Sequence, residues 1–162
     1  MTPRTPQQIE AFCTRAAACW LKQGGRKTQV RDVICRVIGE QTAPFDAEEL
    51  LREVRKVDRV VSMASIYRTL ASLIDAKLLR EVEGVRGMRC YVVVEQSNDA
   101  LSSIVCTDCE QVVMMPDECL PLREGFLARQ LGFNPKKMTL RIEASCEELR
   151  NSGTCRRRKV KD

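Results

Sequence analysis

The stretch Ser62–Leu73, SMASIYRTLASL, decides the fold, because it predicts a helix with one buried and one chemically active face. Ile66, Leu70 and Leu73 recur at helical spacing, and Ser62 can cap the first turn. The other face carries Ala64, Ser65, Tyr67, Arg68 and Ser72. Small side chains permit close approach to a DNA groove, a tyrosine ring can contact thymine methyl groups, and a guanidinium can contact phosphate or guanine. The pattern favours a DNA-reading helix over a solvated helix with an incidental Tyr-Arg pair.

Elements on both sides of this helix predict a winged helix-turn-helix over residues 1–95. One helix runs from Pro6 to about Lys22, a second is capped by Thr28, and a third begins at Asp46 with Glu49 completing a capping box. After the DNA-reading helix, LLREVEG and MRCYVVVE alternate like two strands joined through a glycine-bounded turn. Basic residues that could contact phosphates flank these elements: Arg26, Lys27, Arg31, Arg80, Arg86 and Arg89.

A second, smaller α/β domain is predicted over residues 101–155, after the turn-like segment QSNDA. Strands SSIVC and QVVMM enclose the motif CTDC, a helix opens near Asp117, and KMTLRIEA forms a further strand. The fold class is therefore α+β. So short a unit is marginally stable alone and normally needs a metal or a partner chain. The basic tail RRRKVKD, residues 156–162, is expected to be disordered.

Charge and cysteine content narrow the class of protein. Residues 1–90 hold 16 Lys and Arg against 11 Asp and Glu, whereas residues 91–155 hold 6 against 10. A basic first half facing a polyanion is one interpretation, and ordinary surface variation is the other. Nine cysteines without an apolar leader indicate a reducing cytoplasm, and no apolar run is long enough to cross a membrane. With no histidine and no nucleophile motif, an enzyme is not expected.

The runs TQVRDVI, ASIYRTLASLIDAKLLREV and CTDCEQVV occur in the order and spacing of the ferric uptake regulator superfamily. The chain resembles these bacterial metal-responsive repressors over roughly residues 20–146. The resemblance implies a winged helix, an α/β dimerisation domain, and a homodimer on an AT-rich palindromic operator in double-stranded DNA. By position, it implies that Tyr67 reads bases, Arg68 binds phosphate and Arg26 enters the minor groove. The predicted DNA-binding set is Arg26, Arg31, Ser65, Tyr67, Arg68 and Arg86.

The cysteines predict a structural zinc. Cys106 and Cys109 form a two-thiol knuckle of the kind that supplies half of a four-cysteine zinc site. The resemblance points to Cys146 as the start of the second pair, but the next cysteine, Cys155, follows after eight residues where the family has two. We expect one zinc per subunit on these four thiols, with Cys155, on a long loop, the weakest ligand. Three alternatives stay open: surface thiols at Cys146 and Cys155, Cys119 in place of Cys155, and a redox dithiol at CTDC.

The family's regulatory metal site, implied by the resemblance to be built mainly from histidines, is not expected here. The histidine positions correspond to about Pro44, Leu101, Ser103, Lys137 and Met138. Carboxylates remain only nearby, at Glu95, Asp99, Asp117 and Glu118. A regulatory metal is therefore doubtful.

Two regulator hypotheses follow. In the first, the chain is a DNA-binding repressor that needs no regulatory metal, with Lys137 a candidate stand-in cation. In the second, a rebuilt site senses a metal or an oxidant through Cys90, Asp99, Glu118 and Cys119. An adaptor that does not bind DNA is a third possibility, which the basic first half and the Tyr67-Arg68 helix disfavour.

Overall fold

A computed structural model describes residues 3–22, 24, 28–94, 100–115, 119–136 and 138–157. The chain divides into two compact units. The first comprises Met1–Glu83 and Met88–Glu95, and the second comprises Gly84–Gly87 and Gln96–Asp162. The fold class is α+β, as predicted: a winged helix-turn-helix forms the first unit and a small α/β layer the second.

The first unit contains four helices and a hairpin in the predicted order. The helices are α1 (Pro6–Lys22), α2 (Gln29–Glu40), α3 (Ala47–Val57) and α4 (Met63–Asp75). Strands β1 (Leu79–Glu83) and β2 (Arg89–Val93) pair antiparallel, with Leu79 opposite Val93 and Glu83 opposite Arg89. This hairpin is the wing.

Side-chain caps fix where three of these helices begin. The Thr28 hydroxyl accepts the Arg31 N–H at the start of α2, and the Ser62 hydroxyl accepts the Ser65 N–H at the start of α4. At α3 the capping box is complete: the Asp46 carboxylate accepts the Glu49 N–H at 2.7 Å, and the Glu49 carboxylate accepts the Asp46 N–H at 3.2 Å. Because each cap satisfies an otherwise unpaired N–H, the start of α4 is set by local sequence.

A single core holds the helices of the first unit together. Its largest fully buried side chains include Trp20, Phe12, Phe45, Ile34, Ile38, Leu50, Ile66, Leu70 and Leu73. The wing joins this core through Tyr91, whose N–H and C=O exchange hydrogen bonds of 2.8 and 3.1 Å with Phe45. The side of α4 that carries its apolar residues is therefore buried, and its opposite side stays at the surface.

The second unit is a three-stranded sheet with two helices. Strand β3 (Ala100–Cys106) lies between β4 (Val112–Met115), antiparallel to it, and β5 (Met138–Ala144), parallel to it. Helix α5 (Cys119–Gln130) is the crossover that parallel pairing requires. The helix expected to open at Asp117 begins at Cys119 in the described residues, and Asp117 lies outside them.

One expectation for the C-terminal region is wrong. The segment between Cys146 and Cys155 is not simply a loop, because helix α6 (Glu147–Ser152) occupies most of it. Cys146 caps α6, and Gly153 ends it in the left-handed conformation with φ 70°. Of the basic tail, Arg156 donates to the Glu148 carboxylate at 2.7 Å, and residues 158–162 lie outside the described part.

Many large apolar side chains of the second unit are exposed. They are Leu122, Phe126, Leu127, Leu131, Phe133, Leu140 and Ile142, on or next to α5 and β5. An exposed apolar surface of this kind is typical of a protein–protein interface. Within the part of the chain that is described, no helix has the length and apolarity needed to cross a bilayer.

Candidate nucleic-acid interface and metal centre

Helix α4 presents Tyr67 and Arg68 to solvent. The Tyr67 side chain is 52% exposed, and Arg68 is also exposed, its Nε donating to the Ala64 carbonyl one turn earlier at 3.2 Å. Ser65 is half-buried, and its hydroxyl lies 3.0 Å from that of Ser62. A phenol, a guanidinium and two hydroxyls therefore line the outer face and first turn of a rigid, capped helix, as contact with a DNA groove requires.

The other residues predicted to bind DNA have different surroundings. The Arg31 guanidinium lies over the Trp20 ring, 5.1 Å from its centroid, which fixes its position on α2. Arg86 is exposed in the turn between the wing strands, and its φ of 53° is rare for a residue with a side chain. Arg26 lies outside the described residues.

Three of the four predicted zinc thiols meet in the second unit. The sulfur atoms of Cys106, Cys109 and Cys146 all lie within 4.8 Å of one another. The Cys155 thiol lies close enough to those of Cys109 and Cys146 to raise the pKa of both. Cys119 instead lies exposed at the start of α5. The structure thus clusters three of the four predicted zinc thiols, with Cys155 beside two of them.

The first knuckle is a turn that directs N–H groups at sulfur. The Cys109 N–H donates to the Cys106 sulfur at 3.4 Å. Burial is the largest influence on the pKa of the Cys106 thiol and raises it. The N–H groups of Cys109 and Asp108, together with the Cys109 thiol, outweigh burial, so the pKa of the Cys106 thiol lies below its ordinary value. Burial raises the pKa of the Cys109 thiol to about 12. The pKa values of the two thiols are therefore displaced in opposite directions.

The second pair is held by α6. The Leu149 N–H donates to the Cys146 sulfur at 3.4 Å and lowers the pKa of that thiol. Burial and the neighbouring Cys155 thiol raise the pKa by more than this, so the pKa of Cys146 lies above its ordinary value. Glu148 accepts both the N–H and the guanidinium of Arg156, at 3.3 and 2.7 Å. This double contact holds the residue directly after Cys155 against α6, which explains how a cysteine nine positions after Cys146 can return toward it.

Asp108, inside the CTDC motif, is a site residue that sequence reasoning missed. Its Oδ2 atom accepts the Cys146 N–H at 2.9 Å and the Arg150 Nε–H at 3.0 Å. These donors, with the Cys146 N–H first, hold the pKa of the Asp108 carboxyl below its ordinary value. Beside it, the Thr107 N–H donates to the Ala144 carbonyl at 2.9 Å. The first knuckle therefore binds directly to the chain segment that carries the second pair.

The donor set fits zinc. Four thiols without histidine or carboxylate ligands match a closed, structural tetrahedral site. In such a site the sulfur atoms lie about 3.8 Å apart, given Zn–S bonds of about 2.3 Å. The separations of at most 4.8 Å among Cys106, Cys109 and Cys146 require only a small contraction. Zinc here would link the turn after β3 to the segment after β5.

The residues considered for sensing do not form a described cluster. Cys90 is buried on β2 of the first unit, and Ser103 is buried on β3 of the second. Pro44 is buried before α3, and Met138 is half-buried at the start of β5. Outside the described residues lie Glu95, Asp99, Asp117, Glu118 and Lys137, as does the side chain of Leu101. The three remaining cysteines, Cys13, Cys19 and Cys35, are buried or half-buried on α1 and α2.

A winged helix followed by an α/β unit with a cysteine centre defines a class of DNA-binding regulators. Residues 22–143 match the model of the ferric uptake regulator family, and the chain belongs to that family. It is 25% identical to the ferric uptake regulation protein of Shigella flexneri over 136 residues, covering 83% of this chain and 88% of that protein. The family consists of transcriptional regulators, not enzymes.

Solved structures show the same fold. The Helicobacter pylori ferric uptake regulator, described as having three functional metal binding sites, superposes with a TM-score of 0.79 at 19% identity. The match covers 95% of this chain and all of the H. pylori chain. A zinc uptake regulator complexed with zinc and DNA gives a TM-score of 0.64 at 19% identity, covering 94% of this chain and all of that one.

Proposed function

We propose that this chain is a homodimeric, DNA-binding transcriptional repressor that acts in the cytoplasm and is held together by one structural zinc per subunit. The first unit binds DNA, and the second carries the zinc and the dimer interface. The observation that carries the proposal is the exposed Tyr67-Arg68 face of α4, within the winged helix of a ferric uptake regulator family member.

The DNA assignment follows from what α4 offers at its surface. Its apolar side is buried in the core, so the exposed Tyr67 and Arg68 side chains are available to an external partner. The turn of the wing adds a further exposed cation, Arg86. A guanidinium beside an aromatic ring on α4 suits a duplex, in which phosphates supply affinity and base edges supply selectivity. We infer an AT-rich palindromic operator, because a two-fold symmetric dimer reads two inverted half-sites.

The structural zinc follows from the thiol geometry. Cys106, Cys109, Cys146 and Cys155 would hold the ion, and the ion would cross-link two ends of a small unit that exposes much of its apolar surface. Metal binding of this kind contributes directly to folding free energy. The thiols would have to lose their protons when the ion binds, so zinc affinity should fall at low pH.

Regulation without a histidine-based metal site is part of the same proposal. The chain has no histidine at all. At two positions that the family resemblance assigns to histidine, the described structure has a buried serine, Ser103, and a half-buried methionine, Met138. Neither side chain offers the imidazole nitrogen that iron, manganese or zinc sensing of this type would use. We therefore expect operator binding that does not need an added regulatory metal.

The test is a salt-dependent mobility shift on AT-rich palindromic DNA with zinc-loaded wild-type protein, repeated after mild chelation that leaves the four-thiol zinc in place. We expect binding before and after chelation. The Tyr67→Ala/Arg68→Ala variant should bind at least about tenfold more weakly, because each lost base or phosphate contact contributes about 1–3 kcal/mol.

Arg15→Ala is the matched control, because it removes one exposed arginine from α1 while leaving α4 intact. Equal affinity of wild type and the double variant would refute the DNA assignment. Loss of binding on mild chelation would refute metal-independent regulation. Purified wild-type protein without stoichiometric zinc would refute the structural zinc.

A further inference from the structure

The Asp108 carboxylate joins the two halves of the cysteine centre. It lies between Cys106 and Cys109 in the sequence, yet its Oδ2 atom contacts the segment that carries the other pair. One oxygen, Oδ2, accepts the backbone N–H of Cys146 and the Nε–H of Arg150. Asp108 and Cys146 are 38 residues apart, so the contact depends on tertiary structure.

Arg150 completes the contact from the α6 side. Its backbone N–H donates to the Cys146 carbonyl at 3.0 Å, as the first turn of α6 requires. Its guanidinium therefore reaches back from a helix that begins at the zinc-site cysteine itself. A charge-assisted hydrogen bond of this kind is stronger than a neutral one and fixes both partners.

We infer that Asp108 is a positioning residue that locks the Cys146 pair onto the first knuckle and thereby sets how slowly the proposed zinc ion is released. This inference rests on the proposed function, since it presumes that the four thiols hold zinc. Residues that orient the ligands of a metal commonly change its affinity by about 10- to 100-fold when they are altered. Asp108 acts on the ligand backbone, so it needs no bond to the ion.

The distribution of charge around the proposed zinc site supports the same positioning role for Asp108 and its partner Arg150. Four thiolates around a divalent ion leave two net negative charges, and the Asp108 carboxylate adds a third. The Arg150 and Arg156 guanidinium groups lie beside this region, paired with Asp108 and Glu148 respectively. Removing Arg150 should therefore weaken the lock through both geometry and charge. The Cys146 N–H bond to Asp108 should persist in that variant.

The test measures transfer of zinc from full-length protein to a chromogenic chelator, together with zinc stoichiometry and the visible spectrum of the cobalt(II)-substituted protein. For Asp108→Asn we expect one metal per subunit at saturation, an unchanged four-thiolate cobalt spectrum, and transfer about 10- to 100-fold faster. Arg150→Gln should give a smaller acceleration. The double variant should be no faster than Asp108→Asn alone, because both changes act through one carboxylate.

Glu147→Gln is the matched control, since it removes one carboxylate from the exposed first turn of α6 without touching the Cys146 N–H contact. Transfer at the same rate from Asp108→Asn and Glu147→Gln would overturn the inference while leaving the zinc site standing. Wild-type protein without zinc would overturn the site itself, and the lock with it. Should Asp108→Asn fail to fold, wild-type transfer kinetics in Arg150→Gln would overturn the lock.

Discussion

Cys155 is the proposed zinc ligand whose assignment depends most on the tertiary structure. Its thiol lies close enough to those of Cys109 and Cys146 to raise the pKa of both, whereas Cys119 is exposed on α5. Cys155 follows α6, and Arg156 behind it is paired with Glu148. A ligand held by a short helix and an ion pair is better ordered than one on a free loop. The entropic cost of placing Cys155 at the proposed zinc site is therefore smaller than its sequence spacing indicates.

Replacing the two competing cysteines separates their roles. We expect Cys155→Ser to lose zinc to a chelator much faster than wild type and to lower the melting temperature of the second unit, because three thiolates leave the site open. Cys119→Ser, the matched control, should match wild type in both measurements. Zinc content by elemental analysis and thermal unfolding followed by circular dichroism provide the readouts. Retained zinc in Cys155→Ser, with loss in Cys119→Ser, would reverse the assignment.

The exposed face of α4 could be predicted because it is visible in one short stretch. Helical periodicity separates Tyr67 and Arg68 from the buried positions, and both side chains are exposed in the structure. Asp108 could not be found this way, because its partners Cys146 and Arg150 meet it only through the pairing of β3 with β5. A carboxylate inside a two-thiol motif has no sequence signal that distinguishes a tertiary contact from exposure to solvent.

At the level of elements, capping side chains determine where the helices of the first unit begin. Thr28, Asp46 and Ser62 each accept a backbone N–H from the third residue of the helix that follows. At α3 the box is reciprocal, since Glu49 returns a hydrogen bond to the Asp46 N–H. Thr5 and Gln8 form the same reciprocal pair at the start of α1. Helix α3 directly precedes α4 in the chain, so a well-formed α3 helps to position α4 and its Tyr67 side chain.

Asp46→Ala should destabilise the first unit by about 1 kcal/mol, the usual cost of losing an N-terminal cap. Glu48→Ala is the matched control. It removes an acidic side chain from the same helical turn but no cap, so only the helix-dipole contribution of about 0.3–1 kcal/mol or less should be lost. Urea unfolding of each variant measures the difference. Equal midpoints for the two variants would show that the box does not stabilise α3.

Helix α6 shows how a usable signal can be overlooked. The run CEELRNSG has acidic residues in a first turn, an arginine in the last turn and a glycine after it, which together favour a short helix. The prediction treated the segment as a loop because its length was judged only by the cysteine spacing. Helices α2, α3 and α4 begin at the predicted caps, since those signals were supported by apolar periodicity as well.

For the whole molecule, the exposed apolar residues of the second unit are typical of an interaction surface. Phe126 is 56% exposed on α5, with Leu122 exposed on the same helix, Leu131 exposed directly after it and Ile142 exposed on β5. In the proposed homodimer, a second copy of the chain would cover this surface.

Phe126→Asp should therefore shift the protein from dimer to monomer, because a charge buried in an apolar interface without a partner is costly. Light scattering coupled to size-exclusion chromatography measures the mass, and operator affinity should fall with the loss of the second half-site contact. Gln130→Asp, at an exposed polar position on the same helix, should remain dimeric. A dimeric Phe126→Asp variant would place the interface elsewhere.

The parallel pairing of β3 with β5 imposes an order on folding. The β3–β4 hairpin and its knuckle are local and should form within about 1–10 μs, whereas β5 must return after the α5 crossover, which is intrinsically slow. During that interval Cys106 and Cys109 form a ready two-thiol chelator while Cys146 and Cys155 are still remote. Excess zinc would then bridge knuckles from two chains, so we expect the refolding yield to be highest when zinc does not exceed one equivalent per subunit.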